Sequence, residues 1–390
     1  MPSVLLTNGG LRKTLAAARS LGKGGLTVDV CDVTRLHPAG FSKYARESLV
    51  HPDPRREPDA FADWLERTLL HRKYDAFFPM DDDVLDAVVE RRDRFEPLCA
   101  MPLPPSASYR LAGDKGESTR LAAAAGVACP QTIRPASLEE VDAIAARHSD
   151  YPVVVKPRRS SGSRGIRVAR SAAELTAAYR EAQEAGYPLP LIQAYVAPGD
   201  RYDVCLLYDA EGRLAASFVQ KELRHFPVER GPSTAQESVR HPELLEASLA
   251  IMERLPWRGV VELEFMVDPA DDQPKFMEIN PRFWNSLQLA ISAGVDFPRL
   301  LYDSLTGRMP ANTHDYVVGK RCRTLLPGDA LHFLANPRRS SMDPPIWAGR
   351  RAGVEDDIID WTDPLPTLGF ALGAARYALD PAMWRLLFRR

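Results

Sequence analysis

A multidomain protein combining α/β and α+β architecture is predicted by three observations. Strand-like and helix-like stretches alternate over residues 1 to about 100. A buried-type strand runs into a loop of small residues at 156–165. Two acidic strands face each other across a short turn between Val260 and Arg282.

Taken in order, residues 4–7 form a strand, Asn8-Gly9-Gly10 a tight turn, and Leu11, Leu15, Ala18 and Leu21 share one helical face. Leu26, Val28 and Val30 mark a second strand, 61–70 a second helix, 76–79 a third strand and 84–92 a third helix. Such alternation predicts a parallel sheet. The glycine turn after the first strand suits a phosphate, but the full G-x-G-x-x-G spacing is missing, which argues against a dinucleotide site. Asp81-Asp82-Asp83 ends the third strand and either faces a substrate or caps the next helix.

Pro97, Pro102, Pro104 and Pro105 mark a linker. A helix opens near Asp114 and runs through 122–125 to Gly126, and Ser137 to Glu140 and Ser171 to Glu174 read as capping boxes that start two more. Residues 151–156 form the buried-type strand and 166–168 its partner beyond the loop. Further strands are expected at 191–196, 202–208 and 214–220.

Chemistry concentrates in two places. Val260-Glu-Leu-Glu-Phe-Met-Val-Asp268 and Lys275-Phe-Met-Glu-Ile-Asn-Pro-Arg282 would pair as a hairpin around a turn at 269–274. Side chains alternate faces along a strand, so Glu262 and Glu264 share one side and Glu278 and Asn280 share one side of the partner. Three carboxylates and an amide repel each other unless a cation sits among them, and hard oxygen ligands suit magnesium, or manganese in its place. The plain alternative is a solvated acidic face. Upstream, Lys156 and the loop after it join a point charge to backbone amides that glycine lets approach an anion.

The ordered set Asp114-Lys115, Val-Val-Lys156-Pro with its glycine-rich loop, Leu-Ile-Gln193-Ala-Tyr195-Val196, Gln220-Lys221, Glu264 and Glu278-Ile-Asn280-Pro-Arg282 resembles the ATP-grasp superfamily over about residues 1–305. Asn280-Pro-Arg-Phe-Trp-Asn-Ser286 resembles the branch of carbamoyl-phosphate-synthase-like proteins and carboxylate-amine ligases. The resemblance implies an ATP-grasp fold behind an N-terminal Rossmann-like pre-ATP-grasp domain. Residues 1–105 would form that domain, 106–190 the small lid, 191–310 the large subdomain with the magnesium site, and 311–390 a C-terminal extension of unknown role.

It also implies roles. Lys115 and Lys156 contact the phosphates of ATP beneath Ser161, Gly162 and Ser163, while Gln193, Tyr195 and Val196 offer a backbone edge to adenine. The family often has glutamate at the position of Gln193. Asp200 is the candidate for the ribose, with Asp203 as runner-up. Lys221 reaches the γ-phosphate, with Arg224 and His225 nearby. Glu264, Glu278 and Asn280 bind the metal, with Glu262 as the register alternative, and Arg282 steadies the transferring phosphoryl group or the acyl phosphate. A lone loop histidine such as His225 is more often exposed than a base, and Ser233 and Thr234 belong to a loop over the acceptor pocket or to an ordinary turn.

The expected function is ATP-dependent joining of a small-molecule carboxylate to an amine through an acyl phosphate, releasing ADP and phosphate. Bicarbonate activation, phosphorylation of a hydroxyl and a non-catalytic nucleotide-binding scaffold compete with it. Fifty Lys plus Arg against 52 Asp plus Glu leave a net charge of −2, so no global field points to nucleic acid. Five scattered cysteines without C-x-x-C spacing argue against disulfides and structural zinc and for a reducing cytoplasm. No apolar run of about 18 residues occurs, and the first strand starts at Val4, leaving no room for a signal peptide. Relatives are often dimers, so a homodimer is expected. Short helices are expected at 370–377 and 383–388, and Trp384 to Arg390 mixes apolar and basic residues that suit either a membrane surface or partner, or packing with the arginines in water.

Overall fold

The computed structural model describes residues 1–160, 164–228, 231–308 and 314–378. The N-terminal sheet is parallel, in the order Ala45–Val50, Thr27–Asp32, Ser3–Leu6, Ala76–Phe78. Three of these strands follow the apolar runs expected. The fourth, Ala45–Val50, escapes the sequence because an edge strand that is only half covered needs no apolar alternation, and Arg46-Glu47-Ser48 supplies none. The helices Arg12–Lys23, Pro58–Arg72 and Asp82–Val89 follow the first, third and fourth strands in chain order.

The turn after the first strand is occupied from within. Gly10 N–H donates to Asp32 Oδ2 at 2.8 Å, and a Cβ on Gly9 would lie 2.2 Å from the His37 ring, so only glycine admits that ring. His37 is buried; its Nδ1 accepts from Gly40 N–H at 3.0 Å, and its Nε2 lies 2.8 Å from Ser48 Oγ. Burial lowers its pKa below the ordinary imidazole value of 6.5, outweighing the pull of Asp32. The unfolded chain therefore binds this proton more readily than the fold, and stability present above 6.5 is lost as pH falls below it. Melting temperature against pH should fall more steeply in that range for the wild type than for His37→Gln, whose amide does not titrate. Parallel curves would acquit His37.

A second, four-stranded sheet runs Thr132–Ile133, Leu191–Ala194, Val153–Lys156, Arg167–Ala169. Helices Leu138–Arg147 and Ala172–Glu184 share its core through Val141, Leu175 and Tyr179. Both are capped reciprocally: Ser137 Oγ accepts from Glu140 N–H while Glu140 reaches back to Ala136 N–H, and Ser171 and Glu174 repeat the pattern with Arg170 N–H. The expected strand at 191–196 stops at Ala194, leaving Tyr195 and Val196 beyond the ladder.

The large sheet has seven strands in the order Gln273–Asn280, Gly259–Asp268, Arg201–Tyr208, Leu214–His225, Ser233–Ser238, Arg321–Arg323, Val354–Asp356. One core unites it with the N-terminal domain: Val4, Leu15 and Phe78 pack in the same cluster as Cys205, Phe218, Phe283 and Trp284. The last two strands belong to the C-terminal segment, which is therefore part of the sheet. Its acids pair with three arginines. Asp329 grips Arg224 through Nε at 2.6 Å and Nη2 at 2.8 Å, Asp357 pairs with Arg12 at 2.6 Å, and Asp363 with Arg19 at 2.9 Å. A helix Leu365–Ala378 follows; the expected helix at 383–388 and the segment Trp384 to Arg390 lie outside the described residues. Among the described residues, no helix is long and apolar enough to cross a membrane.

Candidate active site

The acidic hairpin forms as read. Gly259–Asp268 pairs antiparallel with Gln273–Asn280, setting Glu262 opposite Asn280 and Glu264 opposite Glu278. Asn280 Nδ2 donates to Glu264 Oε1 at 2.6 Å. On the other side, Asp203 stands opposite Glu264 and Gln220 opposite Asp203, so the same face of the sheet continues across four strands. Carboxylate oxygens of Asp203, Glu262 and Glu264 lie within 4.8 Å of one another. Asp203, the runner-up for the ribose, is only 3% exposed and is held by Gln220 Nε2 at 2.6 Å. It therefore belongs to the floor of the acidic cluster; register with a strand some sixty residues away put it there.

Two lysines from different elements meet Glu278. Asp114 caps the helix Lys115–Ala124 by accepting from Gly116 and Glu117 N–H, which fixes Lys115 at its first turn, while Lys156 ends its strand. Lys115 Nζ lies 3.2 Å and Lys156 Nζ 3.7 Å from Glu278 Oε2; Lys115 also donates to Ser160 O at 2.5 Å and Lys156 to Met277 O at 3.3 Å. Burial works against the ionised Glu278, but the two ammonium groups outweigh it and hold its carboxyl at about 2. Its neighbours behave oppositely. Burial lifts Glu262 to about 7, and burial with repulsion from Glu278 and Glu262 lifts Glu264 well above the carboxylate range.

Arg282 ties this cluster to the N-terminal domain. Its Nη2 donates to Asn280 Oδ1 at 3.0 Å, and its Nε lies 3.3 Å from Asp82 Oδ2 and 3.4 Å from Asp81 Oδ1. Asp81 in turn accepts from Lys13, which is 1% exposed and also donates to Phe283 O. Sequence reading missed Lys13. A lysine between apolar positions of the first helix was the available signal.

The remaining candidates scatter. Gln193 is buried, its Nε2 donating to Thr132 Oγ1 at 2.9 Å, with Tyr195 and Val196 following beyond the strand. Lys221 bonds Asp200 Oδ2 at 2.5 Å and lies over the Tyr202 ring, so these two predicted nucleotide contacts are joined to each other at a rim. Ser161, Gly162 and Ser163 lie outside the described residues. His225 is not an exposed loop residue: it ends the strand Leu214–His225, and its Nε2 sits 2.7 Å from Glu222 Oε2. Ser233 and Thr234 belong to a buried strand rather than a loop, because Ser233–Ser238 is covered by the C-terminal segment.

The donor set fits a hard divalent cation. It contains only oxygens among its charged members, and its carboxylates are pushed towards protonation by burial and mutual repulsion. The amide oxygen of Gln220, a fully buried residue, has no hydrogen-bond partner. Of the expected ligands, Glu264 and Asn280, backed by Asp203 and Glu262, would hold it, with Glu278 beside them facing Lys115 and Lys156, which supply the positive charge for a phosphate chain.

Three sheets and their covering helices around this lysine and carboxylate centre give the chain an ATP-grasp fold. Residues 114–297 match the family model "Carbamoyl-phosphate synthase L chain, ATP binding domain", which places that segment in the carbamoyl-phosphate-synthase-like branch. The chain is 27% identical over 195 residues to the mitochondrial methylcrotonoyl-CoA carboxylase subunit alpha of Glycine max, a match that covers 46% of the chain and 26% of the relative. It thus spans about a quarter of that protein's length. The biotin carboxylase domain dimer of Hydrogenobacter thermophilus 2-oxoglutarate carboxylase, solved with MgADP and bicarbonate, superposes with a TM-score of 0.67 at 20% identity, covering 82% of this chain and 73% of that one. The L-amino acid ligase of Bacillus licheniformis superposes at 0.59 and 14% identity, covering 79% and 76%. At these identities the superpositions speak for the fold alone.

Proposed function

We propose that the protein activates a small-molecule carboxylate with ATP and passes the acyl group to an amine, with ADP and phosphate as co-products. The observation that carries this reading is the convergence of Lys115, Lys156 and Arg282 on the oxygen set Glu264, Glu278 and Asn280. Lys115 and Lys156 would bind the phosphate chain and offset its charge. Magnesium, when bound at Glu264 and Asn280, neutralises charge on the transferring phosphoryl group. Arg282, its guanidinium braced by Asp81 and Asp82, would orient the attacking carboxylate against the γ-phosphorus. A carboxylate oxygen bonds to phosphorus as ADP leaves; the amine nitrogen then bonds to the acyl carbon as phosphate leaves with the amine's proton. Burial of this centre would keep water from the acyl phosphate.

Bicarbonate activation is the second reading, favoured by the carboxylases among the relatives. Phosphate release that needs both a carboxylate and an amine, with one ¹⁸O moving from labelled carboxylate to phosphate, is the expected result. ADP formation with bicarbonate alone would replace the ligase reading by the second. All five cysteines are free, four of them buried, which suits a reducing compartment such as the cytoplasm. A homodimer belongs to the same proposal.

A further inference from the structure

The polar face that carries the acidic centre does not end at Gln220. Glu222 lies two residues further along the same strand, with no register shift between them, and so shares that face. Beyond it the ladder is irregular: Glu222 pairs with Gln236, Arg224 with Ala235 and His225 with Ser233, with a shift on either side of Arg224. Side chains three residues apart in a regular strand point to opposite faces. Here the shifts bring His225 round to Glu222, its Nε2 2.7 Å from Oε2. Ser233 and Gln236 meet in the same way on the partner strand, Gln236 Nε2 donating to Ser233 Oγ at 2.7 Å. The C-terminal segment fixes this strand end. Asp329 grips Arg224, His332 donates from Nδ1 to His225 O at 2.7 Å, and Asn336 Nδ2 donates to His332 Nε2 at 3.0 Å. The His225 side chain is 14% exposed, and its Nδ1 makes no hydrogen bond among the described residues. Arg201, 4.0 Å from Glu222, is the other charged group beside the pair. After burial, repulsion from Glu222 is among the causes that raise the carboxyls of Asp203, Glu262 and Glu264, so the pair borders the acidic centre.

We propose that His225 is the base that takes the proton of the attacking amine, with Glu222 as its positioning residue. The inference rests on the ligase reading and adds a catalytic residue to its second half. An amine nitrogen that bonds to the acyl carbon becomes positively charged and must lose a proton. Lys115, Lys156 and Arg282 are cations that serve the phosphate chain and the carboxylate, and Glu264 is committed to the metal. His225 Nδ1 is the acceptor left, while Glu222 accepts the Nε2 proton in a hydrogen bond and offsets the charge of the imidazolium. As the bond between the acyl carbon and the phosphate oxygen breaks, His225 passes the proton to phosphate, so no other reactant is needed. The position suits this step. Glu278, which meets the two lysines, lies on the edge strand, and Glu222 lies three strands away. That separation is about 14 Å by the ordinary strand spacing, room for an acyl phosphate and an amine between the two ends. The first half of the reaction makes no call on the pair, because a carboxylate that attacks phosphorus has no proton to lose.

The test separates the two halves by the choice of nucleophile. Hydroxylamine is uncharged at neutral pH and captures acyl phosphates without a base, giving a hydroxamate, whereas ordinary primary amines give an amide. With MgATP and a pool of small carboxylic acids, the wild type should form hydroxamate with hydroxylamine and amide with a pool of primary amines. His225→Gln should lower amide formation by about 10²–10⁴-fold, the usual worth of a positioned base, and leave hydroxamate formation near the wild-type rate. Glu222→Gln keeps an acceptor for the Nε2 proton but not the charge. Its amide formation should fall by a smaller factor, again with hydroxamate spared, and it decides the matter if His225→Gln does not fold. Equal losses with both nucleophiles would make the pair structural and overturn the inference. So would amide formation at the wild-type rate in His225→Gln, or a wild type that forms hydroxamate but no amide; in each of these cases carboxylate activation would stand. A wild type that forms neither product would remove the ligase reading as well.

Discussion

Replacing Glu278 by glutamine is expected to lower ADP formation by roughly 10³-fold or more, on the scale of losing a preorganised charged group from a water-excluded site. Its Oε2 meets both Lys115 and Lys156, and each lysine is less than a tenth exposed. The amide preserves shape and one acceptor oxygen but not the charge. Two buried ammonium groups would then face each other without the carboxylate that offsets them, and Lys156, whose pKa burial already lowers, would be driven further towards the neutral amine. A neutral Lys156 no longer counters a phosphate chain. Calorimetry should therefore show weakened Mg²⁺-dependent nucleotide binding alongside the loss of turnover, with an unchanged circular dichroism spectrum. A Glu278→Gln protein that turns over at the wild-type rate would sink the assignment of this centre.

The second large effect is on stability and lies away from the reacting groups. Asp329→Ala should destabilise the protein by about 3–5 kcal/mol, the usual result of removing one partner from a buried ion pair. Asp329 is fully buried and accepts two hydrogen bonds from Arg224, a third from Thr234 Oγ1 at 3.3 Å, and lies 3.7 Å from Arg323. Without it, Arg224 keeps only Pro344 O among the described residues, and a guanidinium cannot shed its charge. The melting temperature should fall by about 10 °C. Replacing both partners, as in Arg224→Met with Asp329→Leu, should restore most of the loss, since apolar groups of like volume often match a buried pair. A cost below about 1 kcal/mol for Asp329→Ala would mean that the C-terminal segment is not clamped through this pair.

Local pattern made much of the site legible. Alternation along 260–268 and 275–282 put Glu262 and Glu264 on one face and Glu278 and Asn280 on one face, and the ladder pairs them. Asp114 as a helix cap and the two capping boxes were readable because their hydrogen bonds span only two to four residues. Where Lys221 points was not legible, because a sequence position near a motif does not say where a flexible four-carbon stem will lie; in the fold it pairs with Asp200. The C-terminal segment was unreadable for a related reason. Arg12, Arg19 and Arg224 look like surface residues until Asp357, Asp363 and Asp329 arrive from more than a hundred positions away.

The sequence by itself determined which side chains share a face within each strand and helix, and through that the oxygen and lysine chemistry of the centre. Tertiary structure alone decided that Asp203 lies beside Glu264 and that Asp81 and Asp82 brace Arg282 some 200 residues away. Periodicity is a property of neighbouring bonds and can be read along the chain. Which strand or helix lies alongside another is selected by burying one shared core, as Val4, Phe218 and Trp284 do together, and no local segment contains that choice.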